Sequence, residues 1–584
     1  MKNNISLKET ITKTFKIIKG HRGAYISIII FCILAALFTS LAPYYLGLVT
    51  DSLYSSVSNK LPFDTALIFK LLSVVLLCYL IDAVCTYLKS FLASELGQNI
   101  GYDLRNKLIK KINKTKLSAL DSMKKGDLIS KVTNDVERLT DNMTEVIPDL
   151  VYNGSLILGS AIMMFIISPL LAVLTILTIP LTYFLLSYVV RKTQKYFELN
   201  QKALGDVNAF VEESITNDDI IKSFNKEEYF NNKFKDVNKK LTDYGFKSSF
   251  YGSLSVPFNK FIGNIDYIVI VCVGSLFVMK GSLRIGAIQS FIQYMKDFNR
   301  PMNIIAQVVS NLQIALASVD RVYEILDSED EENGYLTNFT FNDSIEFRNV
   351  SFGYEKDKPV IKNFNLKINK GEKIAFVGKT GVGKTTIINL LMGFYDNYEG
   401  QILIDGVSIR DIDKKAYREF ISMVLQDTWL FEGTIKDNIV FNKKISDEEL
   451  ESSLSKSKIN HMINSLPLGL NYEINEETSN ISSGEKQLLT IARAIIKSPD
   501  VLILDEATSN VDTRLELLIN KSMKTLMKGK TSIVVAHRLS TIIESDKIIV
   551  IKDGKIIETG NHKELLNNKG YYYELYTSQF DLNE

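Results

Sequence analysis

Cysteine is scarce in this chain: four in 584 residues, at Cys32, Cys78, Cys85 and Cys272. All four lie inside apolar runs, and none has metal-ligand spacing such as C-x-x-C. Neither a zinc cluster nor a redox pair is expected, and the four are read as small hydrophobes that pack. An excess of either charge is missing too. Lys and Arg number 68 against 67 Asp and Glu, a net charge of +1, so no electrostatic reason exists to expect nucleic acid as a partner. Nothing at the N-terminus looks like a cleavable leader. Lys2, Lys8, Lys13, Lys16, Lys19 and Arg22 precede an apolar run too long for a signal segment, so that run is expected to stay in the mature protein.

What the chain does have differs between its halves. Residues 24–48 carry no charge. At about 1.5 Å per residue, a helix of that length crosses a hydrocarbon core of about 30 Å. Residues 71–92 form a second candidate span, interrupted by Asp82 and Lys89. Residues 151–190 are uncharged and long enough for two crossings, with the turn expected at Ser168-Pro169 because proline disfavours helix at the residue before it. Residues 254–279 and 285–312 complete a set of six, with Lys260, Asp266, Lys296 and Asp297 in or beside them. Ionisable residues at such depth often mark a pathway, whereas the plainer reading is pairing between helices or snorkelling. Asp82 and Lys89 are seven apart and share a helix face, and a role for Asp82 with cationic drugs is one expectation.

Orientation follows from the basic residues. The N-terminal segment is basic, and the connections 95–145 and 191–250 are long and charged, while residues 51–65 hold only Asp51, Lys60 and Asp64. The N-terminus, the two long connections and the C-terminus are therefore expected in the cytoplasm. The turn Lys280-Gly-Ser-Leu-Arg284 is a small exception on the outer side. The membrane expected is the plasma membrane of a bacterium. Both long connections read as helices with few breakers, extending the membrane helices into the cytoplasm. The expected organisation is an all-α six-helix transmembrane bundle over 1–326, an acidic linker over 327–343, and a soluble α/β domain over 344–584.

In the last part, Ile374-Ala-Phe-Val377 is a buried-strand pattern. It runs into Gly378-Lys379-Thr380-Gly381-Val382-Gly383-Lys384-Thr385 and then a helical segment beginning at Thr386. This is the phosphate-binding loop in its strand–loop–helix context: glycines let backbone N–H groups converge on phosphate oxygens, and the helix start adds a favourable dipole. Lys384 is expected to reach the β- and γ-phosphates and Thr385 to ligate Mg²⁺. Val501-Leu-Ile-Leu504-Asp505-Glu506 is an apolar strand ending in two acids. Asp505 is expected to hold Mg²⁺ through water and Glu506 to act as general base on the attacking water.

These residues stand in an order that resembles the nucleotide-binding domain of ATP-binding cassette transporters. The resemblance implies that Tyr354, in Ser-Phe-Gly-Tyr, stacks on the adenine of ATP. It implies that Gln426 couples the Mg²⁺ site to the membrane domain, and that His537, in Val-Val-Ala-His-Arg, contacts the γ-phosphate. Ile481-Ser482-Ser483-Gly484-Glu485-Lys486-Gln487 sits where the family signature belongs, and Ser509-Asn-Val-Asp512 matches the loop at the dimer interface. The membrane half resembles the exporter class. Residues 126–135 are similar to its first intracellular connection and 212–224 to its second. In that class, short helices at the connection tips press into grooves on the ATPase domains.

The signature departs from the family's Leu-Ser-Gly-Gly-Gln: Ser482 and Gly484 survive, Ser483 replaces a glycine and Glu485 a glutamine, and Thr478 stands where glycine is common. A carboxylate pointing at triphosphate weakens binding, and one pointing to solvent matters little. The resemblance implies a second half-transporter chain, because each ATP lies between the phosphate loop of one domain and the signature of another. Homodimer and heterodimer both stand, with the signature favouring the heterodimer. The function expected is ATP-driven export through the lipid bilayer of an unknown amphipathic, lipidic or peptide substrate, multidrug-type transport included. The alternative is a ligand-sensing or channel-gating protein. Import is disfavoured, since the exporter order of domains is present and no binding-protein domain is attached. No peptidase domain precedes the first helix, which disfavours a peptide secretor that also cleaves its cargo.

Overall fold

The computed structural model describes residues 7–355, 358–425, 428–441, 443–475, 480–505, 513–535 and 542–580, and for parts of some helices the backbone alone. The chain divides into two compact units. Unit one comprises 1–111 and 125–327, and unit two comprises 112–124 and 328–584.

Unit one is helical: α1 (Leu7–Lys19), α2 (Arg22–Ser58) and α3 (Thr65–Ile112) come first, followed in the chain by α4 (Leu117–Asp121), which belongs to unit two. Then come α5 (Lys125–Ser130), one π-helical turn, Lys131–Asp135, α6 (Val136–Ile167), α7 (Pro169–Thr216), α8 (Asp218–Ser223), α9 (Glu227–Ser253), α10 (Ser255–Met279) and α11 (Ile285–Leu326). Among the described residues four helical stretches are long and apolar enough to cross a membrane: Arg22–Ser58, Thr65–Ile112, Lys125–Ile167 and Glu227–Met279. The apolar start of α7, Pro169–Thr178, is shorter. At about 1.5 Å per residue α3 is about 72 Å long, more than twice a hydrocarbon core.

The break between α6 and α7 has a local cause. Ser168 is extended (φ −158°, ψ 105°), Pro169 occupies the first turn of α7, and the Ser168 hydroxyl accepts from the Leu171 amide. Elsewhere in the bundle small residues let helices approach closely. A Cβ at Gly47 would meet the Gly286 carbonyl oxygen at 2.6 Å. Beside this crossing the Ser290 hydroxyl donates to the Pro43 carbonyl (2.7 Å) and the Tyr294 hydroxyl to the Ser40 carbonyl (2.7 Å). Along the π turn the buried Lys131 is met by Asp127 and Glu324, and the buried Asp135 by Arg321. Burying one of these charges without its partner would be strongly destabilising.

Unit two carries two main sheets. Strands β1 (Ser344–Phe352), β2 (Ile361–Asn369), β4 (Glu399–Ile404) and β5 (Val407–Ser408) form one, in the order β2-β1-β4-β5. The other has the order β12-β11-β3-β10-β9-β6, from β3 (Lys373–Val377), β6 (Ile421–Val424), β9 (Val501–Asp505), β10 (Thr531–Val535), β11 (Lys547–Lys552) and β12 (Lys555–Gly560). All of its neighbours are parallel except β11 and β12. A small pair, β7 (Gly433–Thr434) and β8 (Glu473–Ile474), stands apart. The helices are α12 (Lys384–Leu391), α13 (Lys414–Phe420), α14 (Ile435–Val440), α15 (Asp447–Lys456), α16 (Asn460–Ser465), α17 (Ser483–Lys497), α18 (Thr513–Met527), α19 (His562–Asn567) and α20 (Tyr571–Phe580). Strands β9 and β10 read as apolar runs because both faces of a parallel sheet are covered: Val501 to Leu504 and Ile533 to Val535 are all buried.

Candidate functional site

The phosphate loop joins β3 to α12. Gly381 (φ +85°) and Gly383 (φ +104°) take backbone conformations that L side chains rarely adopt. A Cβ at Gly378 would sit 2.5 Å from the Ile551 carbonyl oxygen, so this position too has no room for a side chain. Lys384 is 6% exposed, and its ammonium donates to the carbonyls of Gly378 (2.5 Å) and Lys379 (3.1 Å). Burial pulls the Lys384 pKa below its ordinary value, with Asp505 acting in the opposite sense. A buried cation thus stands at a helix start, where backbone N–H groups and the helix dipole favour an anion.

The register of the parallel sheet brings the other strand ends level with the loop. Val535 pairs with Phe376 on one side and with Asp505 on the other, and Val424 pairs with Leu504. Asp505 therefore ends its strand at the same edge as the loop, where ligands of open α/β sheets bind. Thr385 is exposed at the start of α12, a hydroxyl available to a cation at that edge. Gln426, Glu506 and His537 lie outside the described residues, as do Thr478 and 509–512.

Tyr354 is 51% exposed and held from three sides. Its ring meets Phe352 and Tyr395 edge to face, with centroids 5.1 Å and 5.3 Å away. Its hydroxyl shares a hydrogen bond with Thr386 (3.2 Å) and accepts one from Asn389 (3.5 Å). An aromatic face left open beside the first turns of α12 suits a planar ring such as a nucleotide base. Tyr395 and Asn389 were not singled out from the sequence, where they have no motif; only the fold brings them to Tyr354.

At the signature, Ser482 is the N-cap of α17 and forms a capping box with Glu485. The Glu485 carboxylate accepts from the Ser482 amide (2.9 Å) and hydroxyl (2.6 Å), while the Glu485 amide donates to the Ser482 hydroxyl oxygen (3.4 Å). Glu485 thus turns back onto the helix start, with Ser483 exposed and Gly484 buried beside it.

In unit one the ionisable residues at membrane depth divide into paired and unpaired groups. Lys89 pairs with Asp149 (3.6 Å) and lies over the Tyr152 ring. Asp82 accepts from Thr86 (3.5 Å) on its own helix. Asp266, 2% exposed, accepts from Thr178 (3.0 Å) and Asn299 (3.3 Å), and Asp297 accepts from Gln293 (3.0 Å). Lys296 has no ion pair or hydrogen bond among the described residues. It borders a cavity of about 430 Å³ whose lining includes Pro43, Leu46, Tyr267, Gln289 and Gln293.

Comparison with known proteins extends over both units. Residues 25–302 match the ABC transporter transmembrane region, and residues 361–509 match the ABC transporter family. An uncharacterized ABC transporter ATP-binding protein of Bacillus subtilis is 34% identical over 581 residues, covering 98% of this chain and 95% of that protein. A fatty acid ABC transporter ATP-binding/permease protein of Mycobacterium bovis is 38% identical, covering 88% of this chain and 82% of its own length. An ATP-dependent lipid A-core flippase of Syntrophus aciditrophicus is 35% identical, covering 87% and 85%. The chain belongs to the ATP-binding cassette transporters, as an ATP hydrolase coupled to transport whose nucleotide-binding unit follows a helical membrane unit in exporter order.

Proposed function

We propose that this chain exports an anionic, lipid-like amphiphile as one half of a dimeric transporter in a bacterial plasma membrane. In this reading six helices span the bilayer, and the N-terminus and ATPase unit are cytoplasmic. The observation that carries the substrate class is the cavity beside Lys296, lined by apolar Pro43 and Leu46 of α2 and by polar Gln289 and Gln293 of α11. An ammonium at that depth is costly unless water or an anion meets it. A carboxylate or phosphate head with an acyl tail satisfies both kinds of lining. Relatives named for fatty acid transport and for lipid A-core flipping support the same class.

On the ATPase side, the proposed roles follow the strand ends. The backbone of 378–383 with Lys384 and Thr386 cradles the triphosphate, and Tyr354 stacks on adenine. Thr385, Gln426 and, through water, Asp505 would hold Mg²⁺, which would offset the negative charge of the triphosphate. Glu506 accepts the proton of the attacking water, and His537 contacts the γ-phosphate. ATP joins two ATPase units, hydrolysis releases them, and the membrane helices alternate accordingly.

Two surfaces support a second chain. The turn between α7 and α9 exposes Ile215, Ile220 and Phe224, and unit two exposes Trp429, Phe431 and Phe441. Apolar patches of this kind, uncovered in one chain, suit an interface. Because Ser482 already donates to the Glu485 carboxylate, this signature offers a partner's γ-phosphate a weaker welcome. That supports a heterodimer in which the other chain brings the stronger signature.

The test is ATP hydrolysis in proteoliposomes with palmitate or its neutral alcohol, hexadecanol, as the added amphiphile. Palmitate stimulates and hexadecanol does not; Lys296→Gln abolishes the difference and Lys296→Arg keeps it. Equal response to both amphiphiles in the parent would sink the anionic class.

A further inference from the structure

The acidic run Glu329 to Glu332 belongs to no nucleotide motif, yet each of its residues is engaged within unit two. Lys116, whose side chain is 16% exposed, faces three carboxylates: Glu332 (3.1 Å), Asp396 (3.2 Å) and Glu329 (3.4 Å). Burial alone would lower the Lys116 pKa, but hydrogen bonds to Glu332 and Asp396 outweigh it and raise the value, so the ammonium keeps its charge. The backbones run side by side here: Thr115 bridges Asp330 in antiparallel sense, the Lys116 amide donates to the Glu329 carbonyl (3.3 Å), and the Glu331 amide to the Lys114 carbonyl (2.6 Å). The Thr115 and Ser328 hydroxyls are 3.0 Å apart.

The other edge of the run is tied to the ATPase fold. Arg418 of α13 holds the Glu331 carboxylate through two N–H groups. Asn333 donates to Asp413 (2.7 Å) and accepts from the Lys414 amide (2.7 Å), and Leu336 bridges Ile412. At Gly334 a Cβ would collide with the backbone of Asp411 and Ile412, so only glycine lets the strap lie this close.

Chain continuity gives the strap its meaning. Residues 112–124 leave the end of α3 and return into α5, while Ser328 follows closely on α11. The strap therefore ties together the two points at which α3 and α11 enter unit two. We propose that it is a coupling latch. Lys116, a positioning residue, keeps the α3–α5 connection clamped to the linker throughout the cycle, so that α3 and α11 move with their own ATPase unit as one lever. Without its ammonium, Glu329, Glu332 and Asp396 would face one another, and like charges at that range repel. The latch rests on the exporter reading for its purpose, but its closure is measurable without transport.

The test is a disulfide between Thr115→Cys and Ser328→Cys, in full-length protein in liposomes with the four native cysteines replaced by alanine. The two hydroxyls are 3.0 Å apart, close enough that side-chain rotation can carry two sulfurs to the roughly 2.0 Å of a disulfide. A latch that stays shut gives the same crosslinking yield without nucleotide, with ATP, and with ATP and vanadate. Adding Lys116→Gln lowers that yield by about fivefold or more, the smaller end of ordinary coupling energies, and Lys116→Arg keeps it. In a separate set carrying bimane on Ser282→Cys in the outer turn, Lys116→Gln loses the ATP-driven fluorescence change while its apparent affinity for ATP stays within about twofold. A yield that collapses on adding ATP, or a Lys116→Gln protein that crosslinks as well as its parent, overturns the latch. Lack of stimulation by palmitate with intact crosslinking counts against the substrate reading only.

Discussion

In the ATPase unit the charged groups at the nucleotide site bond within their own turn of chain. Lys384 holds carbonyls five and six residues away, and Ser482 and Glu485 cap one helix start. In the membrane unit partners also come from other helices: Lys89 reaches Asp149, and Asp266 collects Thr178 and Asn299 from two different helices, while Asp82 and Asp297 each accept from a side chain one turn away on their own helix. The difference follows from the medium. A loop between a strand and a helix can satisfy a charge with its own backbone, and water supplies the remainder. A membrane helix has already spent its backbone groups on itself, so an ionisable side chain must be met by another side chain or by a ligand. A single change at the nucleotide site therefore removes a step, whereas a change in the bundle shifts an equilibrium.

The sharpest way to break that contrast is at Glu506, the proposed general base. Glu506→Gln is expected to leave ATP binding intact and to lower hydrolysis by about 10²-fold or more, the usual worth of a positioned general base. Turnover near the parent rate, measured beside the parent in lipid, would remove Glu506 from that role. In the membrane unit the effect is graded. Asp266→Leu strands the Asn299 donor and leaves the Thr178 hydroxyl only the Thr175 carbonyl, and is expected to cost about 1–3 kcal/mol of stability, while Asp266→Asn costs less because an acceptor oxygen remains. Thermal unfolding of the three proteins in one detergent would show this, and a Leu variant as stable as the parent would mean the buried carboxylate is not structural. The smallest effect is expected at the signature. Glu485→Gln keeps a capping residue but removes the carboxylate from the γ-phosphate's approach. The KM for ATP is expected to fall by about two- to fivefold, and an unchanged or higher KM would show that the capping box does not compete with nucleotide.

Legibility in the sequence followed the same divide. The strand, loop and helix around Lys384 could be read from one stretch of twenty residues, because phosphate binding there is done by consecutive backbone groups. The break at Ser168 was equally readable, since the proline ring acts on its immediate neighbour. The direction of Glu485 was not. Both an inward and a solvent-facing carboxylate suited the sequence, and the choice depended on whether the N-cap hydroxyl and amide of Ser482 were available to it. Lys89 and Asp82 shared a face by spacing, but spacing could not say that Asp149, sixty residues on, would take the lysine. Four stretches meet the length and apolarity needed to cross a membrane among the described residues, where the hydropathy reading expected six.

By itself, the order of residues determined the family, the α-helical and α/β halves and the phosphate loop. Each of these rests on periodicity or on neighbours a few residues apart, which any fold of the chain must respect. Tertiary structure alone decided that Tyr395 supports Tyr354 and that Lys296 stands beside a cavity without an ion pair among the described residues. It alone decided that an acidic stretch with no apolar period is gripped by Lys116 on one side and Arg418 on the other. Those partners lie tens to hundreds of residues apart. Charge attracts through space, and no local pattern records which distant group will be close enough to answer it.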